Sequence, residues 1–430
     1  KVKKMKLLYF SMIIILSLKS CIDNQIHTPS DIIRNEDGVV VDIAEYLWMV
    51  DLSGDEFIRG NLIPQLHEQT LILAGSLEDE TTYIMGVDIF NGEEQYRWIK
   101  DYYGRKMDFY DIDNNQKGSH VVFADYDNVF LFDIEEGKVE WRTIDHELSF
   151  VNNAILDDDK FYFSGKYRIK ENTSALSIFE GDLRNGAIEK LASPQLKETQ
   201  LFSGSYGYIT GTAIYQLNGI PHAFFAIVEH YDVYTSRNLG YVSLYNIEDR
   251  KFVYEMKRVG DTIAINFGLR PVLFNEVAVI NGGNEIFGID IESGETLWNR
   301  NEFQKDGSGT FILGSYKDQL IAVNRDGVIA RIISVDPQTG RNNWEILDGG
   351  GNSEYFHILE DKLFFVDRGD AALYIYNLET RQLLLRMKTA DEDKFNAYGG
   401  MSPFMVDGRL MLVVSSYKNT FCYDLSFLNN

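Results

Sequence analysis

Cysteine is nearly missing from this chain: 430 residues hold 2, Cys21 and Cys422, which lie 401 positions apart. A pair so distant is no disulfide framework. Proline is scarce, at 7 residues, and no collagen, coiled-coil or low-complexity signature appears. Basic charge is in deficit, with 41 Lys and Arg against 65 Asp and Glu, a net of −24. That argues against nucleic acid as a partner and against electrostatic docking on anionic lipid. The 7 histidines (His27, His67, His120, His146, His222, His230 and His357) are scattered, with no HxH or HExxH spacing. The Gly-rich stretch at 349–352 has no GK[ST], and neither GxSxG, SxxK nor an EF-hand loop is present. The apolar run from Leu7 to Leu18 is too short to span a bilayer.

What is present begins with the N-terminus. Lysines 1, 3, 4 and 6 precede that apolar run, the arrangement of a secretion signal. Leu18-Lys19-Ser20-Cys21 then resembles a bacterial lipobox, although Lys19 stands where a small or apolar residue is usual. The expectation is a signal peptide over 1–20, lipidation at Cys21 and a polar tether over 21–44. The competing reading is a plain secreted protein with a chance cysteine. Loss of residues 1–20 removes five lysines and no acid, leaving 36 basic against 65 acidic residues, or −29.

From residue 45 onward the chain is periodic. GIDIESGETLW (288–298) contains Asp290, then three residues, Gly294, and four positions later Trp298. The same figure recurs at Asp88, Gly92 and Trp98; Asp133, Gly137 and Trp141; Asp182, Gly186 and Leu191; and Asp336, Gly340 and Trp344. Degenerate copies lie at Asn246, Arg250 and Tyr254 and at Asn377, Arg381 and Leu385, and a truncated one starts at Asp424. Successive first positions are 45, 49, 64, 44, 46, 41 and 47 residues apart. Asp or Asn suits the turn because its side chain accepts from backbone N–H groups just ahead. Gly suits the last turn position, where positive φ is required. The aromatic is a large anchor on the returning strand. Gly294 and Trp298 are accordingly expected to be structural rather than cofactor contacts. Two further strand-like runs precede each turn, TLILAGS and TTYIMGVDI for example.

About 45 residues carrying four strands make one antiparallel sheet, and such sheets repeated radially form a β-propeller. YDNVFLFDIEEGKVEW and NEIFGIDIESGETLW resemble the quinoprotein-like (PQQ-like) repeat, over residues 45–425. The last copy runs out of chain before its outer strand, while AEYLWMVDLS (44–53), with Trp48, is an orphan near the other end. Pairing of the two predicts eight blades in an all-β domain over 45–430, with seven as the alternative if the 64-residue interval hides an irregular unit. That interval predicts lengthened strands or an inserted loop.

The resemblance brings quinone-dependent dehydrogenases to mind, but here no adjacent cysteines exist, and all five tryptophans (48, 98, 141, 298 and 344) are repeat anchors. Neither enzymatic activity nor a cofactor or metal site is therefore expected. The functional analogue within the resemblance is the BamB-type accessory lipoprotein of the outer-membrane β-barrel assembly machine. It implies a lipid-anchored scaffold of the outer membrane, on its periplasmic or surface face, whose partners are envelope proteins such as a membrane β-barrel. The alternative is a ligand- or carbohydrate-handling propeller using aromatics such as Tyr102-Tyr103, Tyr206, Tyr208 and Tyr398 near a central funnel.

Overall fold

The side chains that open the repeat bend the chain back. Asp88 Oδ1 accepts from the N–H groups of Phe90 (2.8 Å) and Asn91 (3.2 Å), and Asp336 does the same with Gln338 (2.8 Å) and Thr339 (3.2 Å). Asp290 accepts from Ser293 (2.7 Å), and the N–H of Gly294 closes that turn on the Asp290 carbonyl (2.7 Å). Asn377 serves equally well, accepting from Glu379 (2.9 Å) and Thr380 (2.7 Å). The closing glycines all have positive φ, from 66° at Gly137 through 71° at Gly294 to 73° at Gly92. Each turn starts the fourth strand of a sheet, and the returning strand carries one extra residue opposite the third, as between Leu131 and Phe132.

In this computed structural model the described residues are 32–34, 40–41, 46–51, 64–76, 82–99, 116–125, 128–144, 148–170, 173–196, 207–232, 237–260, 271–282, 285–300, 310–326, 331–347, 353, 356–388, 395, 400–416 and 419–429. Among them are eight sheets, five of which take all their strands in chain order. Blades one to seven are sequential. Blade two, for instance, comprises Gln116–Lys117, His120–Asp125, Asn128–Asp133 and Lys138–Ile144. Blade eight takes three strands from the C-terminal end, Met401–Val406, Arg409–Ser415 and Asn419–Asp424. Its fourth is Trp48–Asp51, antiparallel to the last, with Trp48 opposite Cys422 and Asp51 opposite Asn419. The count is eight rather than seven, and the two chain ends share a sheet.

The 64-residue interval is explained by long strands. Blade four is built from Gly207–Leu217, Ile220–Asp232, Arg237–Asn246 and Lys251–Gly260, strands of 10 to 13 residues. Blade five manages with 3 to 5.

Two pieces of the segment read as tether are also paired. Ile32–Arg34 lies parallel to the outer strand of blade six (Ile33 opposite Ile346), and Val40–Val41 parallel to that of blade seven (Val40 opposite Arg386). The chain thus adds a fifth strand to two neighbouring blades before it enters the third.

Hydrophobic burial lies between blades. Eight core clusters are present among the described residues, each drawn from two adjacent blades. Ile72 and Ile84 of blade one meet Phe123, Phe130 and Phe132 of blade two; Trp48, Val413 and Cys422 of blade eight meet Leu71, Val87 and Ile89 of blade one. Because both faces of a blade are covered, central strands such as Lys362–Val366 are buried throughout, whereas outer strands alternate. Each buried Val, Leu, Ile or Phe contributes about 1.5–3 kcal/mol, so a ring with eight such joints needs no single central core.

Candidate interaction surface

The repeat residues meet at the joints between blades. Trp298, on the outer strand of blade five, donates through Nε1 to the carbonyl of Pro337 in blade six (2.8 Å). Trp141 of blade two reaches Leu183 in blade three (2.6 Å), and Tyr254 of blade four reaches Ile291 in blade five through its hydroxyl (2.8 Å). In every case the acceptor is the residue after the turn Asp of the next blade. The ring also lies on that turn's glycine. A Cβ on Gly340 would stand 2.6 Å from Trp298, one on Gly294 2.7 Å from Tyr254, and one on Gly92 2.8 Å from Trp48. Glycine is thus demanded twice at these turns, by backbone φ and by the aromatic ring above it. Gly294 and Trp298 belong to one repeat but to two joints: Gly294 receives the ring of blade four, and Trp298 docks on blade six.

In blade one this seat belongs to Tyr96 rather than Trp98. The Tyr96 hydroxyl donates to Ile134 (2.5 Å), and its ring covers Gly137. Trp98, two positions along the same strand face, packs on Phe130 (centroids 5.6 Å apart). The reason is spacing: Tyr96 stands four residues after Gly92, as Trp141 does after Gly137. Burial holds the phenols of Tyr96 and Tyr254 well above the ordinary tyrosine range.

The two copies that replace glycine keep its backbone: φ is 52° at Arg250 and 62° at Arg381. Each arginine bridges to the preceding blade. Arg250 makes two bonds to Glu189 (2.6 and 2.8 Å), and its guanidinium holds that carboxyl below the usual range. The Arg381 guanidinium lies 5.9 Å from the Trp344 ring centre.

At the ring closure, Trp48 Nε1 donates to Ile89 (2.7 Å), and Cys422 Sγ lies 3.7 Å from the same carbonyl. Burial pushes the Cys422 thiol up to about 12.

Most of the exposed large apolar side chains sit on outer strands. Tyr46, Leu47 and Met49 lie on or beside that of blade eight, Ile99 (48% exposed) on blade one and Ile144 (48%) on blade two, three consecutive blades. Val253 and Leu297 hold such positions on blades four and five. The outer strands of blades three, six and seven, Ile188–Ala192, Asn342–Leu347 and Leu383–Met387, carry none among the described residues, and residues 32–34 and 40–41 flank the last two.

Cys21, Tyr102, Tyr103, Tyr206 and Tyr398 lie outside the described residues, as does the side chain of Tyr208. No helix among the described residues is long and apolar enough to cross a membrane.

These features define a class, the β-propeller of eight four-stranded blades. No family model and no curated protein matches the chain. Solved structures do. BamB from Moraxella catarrhalis aligns with a TM-score of 0.51 at 13% identity, over 89% of this chain and 99% of its own. The computationally designed Ika8 protein aligns with 0.57 at 12%, over 89% and 100%, and the C-terminal WD40 domain of Sif2 with 0.58 at 11%, over 89% and 98%. At such identities the likeness is one of fold.

Proposed function

We propose that this chain is a non-catalytic scaffold of the bacterial cell envelope. It is a PQQ-like propeller, anchored to the outer membrane through a lipid on Cys21, that holds envelope proteins, a membrane β-barrel among them, against its outer rim. The observation that carries the reading is the run of exposed Tyr46, Leu47, Met49, Ile99 and Ile144 on the outer strands of three consecutive blades. Exposed apolar side chains on these neighbouring outer strands, in a chain of net acidic charge, favour a protein partner over a solvated face. The likeness of fold to BamB supports it. Affinity capture from membranes, with a Cys21→Ala control and an Ile99→Glu/Ile144→Glu variant, tests it. Envelope proteins are expected with the parent and depleted with both variants; recovery equal in all three sinks the proposal.

A further inference from the structure

We infer that His120, Asp133 and Glu140 of blade two form a binding site for a first-row divalent metal ion, Zn²⁺ in the first place. Their three donor atoms lie within 4.8 Å of one another. His120 Nε2 stands 3.2 Å from Glu140 Oε2 and 3.7 Å from Asp133 Oδ2. Bonds of about 2.1 Å set tetrahedrally around zinc place donor atoms roughly 3.4 Å apart, so these separations leave room for an ion between them.

The blade builds this convergence from backbone pairing. His120 is directly opposite Asp133 in the ladder. Glu140 is the extra residue of the bulge, between the pairs Phe132–Val139 and Leu131–Trp141, which brings its carboxylate to the same point. Blade one repeats the arrangement with Thr70 opposite Asp88 and Gln95 in the bulge; there Thr70 Oγ1 donates to Gln95 Oε1 at 2.8 Å. That pair is satisfied by its own hydrogen bond. Other blades hold residues that bind no metal: Val277 and Leu297 flank Asp290 in blade five, and Lys160 takes the imidazole's place opposite Asp182 in blade three. Among these blades, only the second combines an imidazole with two carboxylates.

A second observation concerns Asp133 itself, only 7% exposed. Its Oδ1 is committed to the N–H groups of Glu135 (2.8 Å) and Glu136 (3.1 Å). Its Oδ2 accepts no hydrogen bond among the described residues and faces His120 Nε2. That leaves Oδ2 as the carboxylate oxygen turned toward the imidazole, where a cation between the two would meet it. The neighbouring ammonium, Lys138 Nζ, is paired with Glu136. On the far side of the ring, His120 Nδ1 lies 3.4 Å from Ser119 Oγ, a partner able to orient the imidazole as metal-bound histidines require. His120 and Glu140 are partly exposed, so water can complete the coordination shell.

The test is calorimetric titration of the full chain, carrying Cys21→Ser and stripped of metal by chelator, with ZnCl₂. One ion per chain is expected, with affinity at least about tenfold weaker in both His120→Asn and Glu140→Gln. Both variants keep the parent's circular dichroism and its melting temperature in EDTA, because neither residue is in the buried core. Zn²⁺ raises the melting temperature of the parent more than that of either variant. Absence of stoichiometric binding, affinity unchanged in both variants, or saturation by Ca²⁺ with none by Zn²⁺ overturns the inference.

Discussion

Trp48 and Ile89 are 41 residues apart in sequence and joined by one hydrogen bond, indole N–H to carbonyl, at 2.7 Å. The bond links the N-terminal strand of the last blade to the turn of the first, so the ring is latched by the same seat that joins its other blades. Trp48→Ala removes the latch and leaves a cavity beside Cys422. A loss of about 3–5 kcal/mol is expected, read by urea denaturation. Trp298→Ala, at an internal joint, costs a similar amount. A Trp48 variant as stable as the parent contradicts closure through this strand.

Tyr96→Phe deletes the hydroxyl that reaches Ile134 and strands that carbonyl at the joint. About 1–2 kcal/mol of destabilisation follows, whereas Trp98→Phe, which makes no such bond, changes stability by less. The opposite order in a melting comparison restores Trp98 as the docked anchor.

Gly340 and Gly408 both have positive φ, 71° and 76°, but a Cβ on Gly408 meets nothing within 4 Å. Gly408→Ala therefore bears only the backbone cost, about 1–2 kcal/mol. Gly340→Ala bears that and must also push Trp298 aside, so its chemical denaturation midpoint falls further. Gly294→Ala, under the Tyr254 ring, behaves like Gly340→Ala. Equal losses at all three positions remove the argument for ring-on-glycine packing.

Cys422 is a thiol whose ionisation burial raises to about 12, from an ordinary value near 9. The folded chain keeps this proton where the unfolded chain releases it. Its contribution to stability is therefore intact below pH 9 and lost progressively as pH rises from 9 toward 12. At about pH 8 the native protein should resist iodoacetamide at this position, and reaction should track unfolding in denaturant, followed by mass spectrometry. Rapid labelling of the native chain refutes the buried placement.

The repeat could be read from single residues because each one answers a local demand. Asp and Asn make their bonds within three residues, and positive φ belongs to the turn alone, so Asp133, Gly137, Gly294 and their counterparts are visible at fixed spacing. Even the shared eighth blade could be inferred, since a fourth strand missing at one end matched a strand left over at the other. Which aromatic docks was less plain: Tyr96 and Trp98 share a strand face, and only the next blade's turn selects between them. Nor does spacing show that Gly294 seats Tyr254 of the preceding blade instead of the Trp298 beside it in sequence.

From its sequence alone this protein is determined to be a series of four-stranded sheets that must close on itself, because turn chemistry and apolar periodicity act over a few residues. The tertiary structure alone decided what lies across those sheets. Its ladders set His120 against Asp133 and bring Glu140 in through a bulge. Its ring geometry leaves Ile99 and Ile144 on outer strands and lays residues 32–34 and 40–41 beside blades six and seven. Pairing between strands and packing between blades join residues that no local spacing connects.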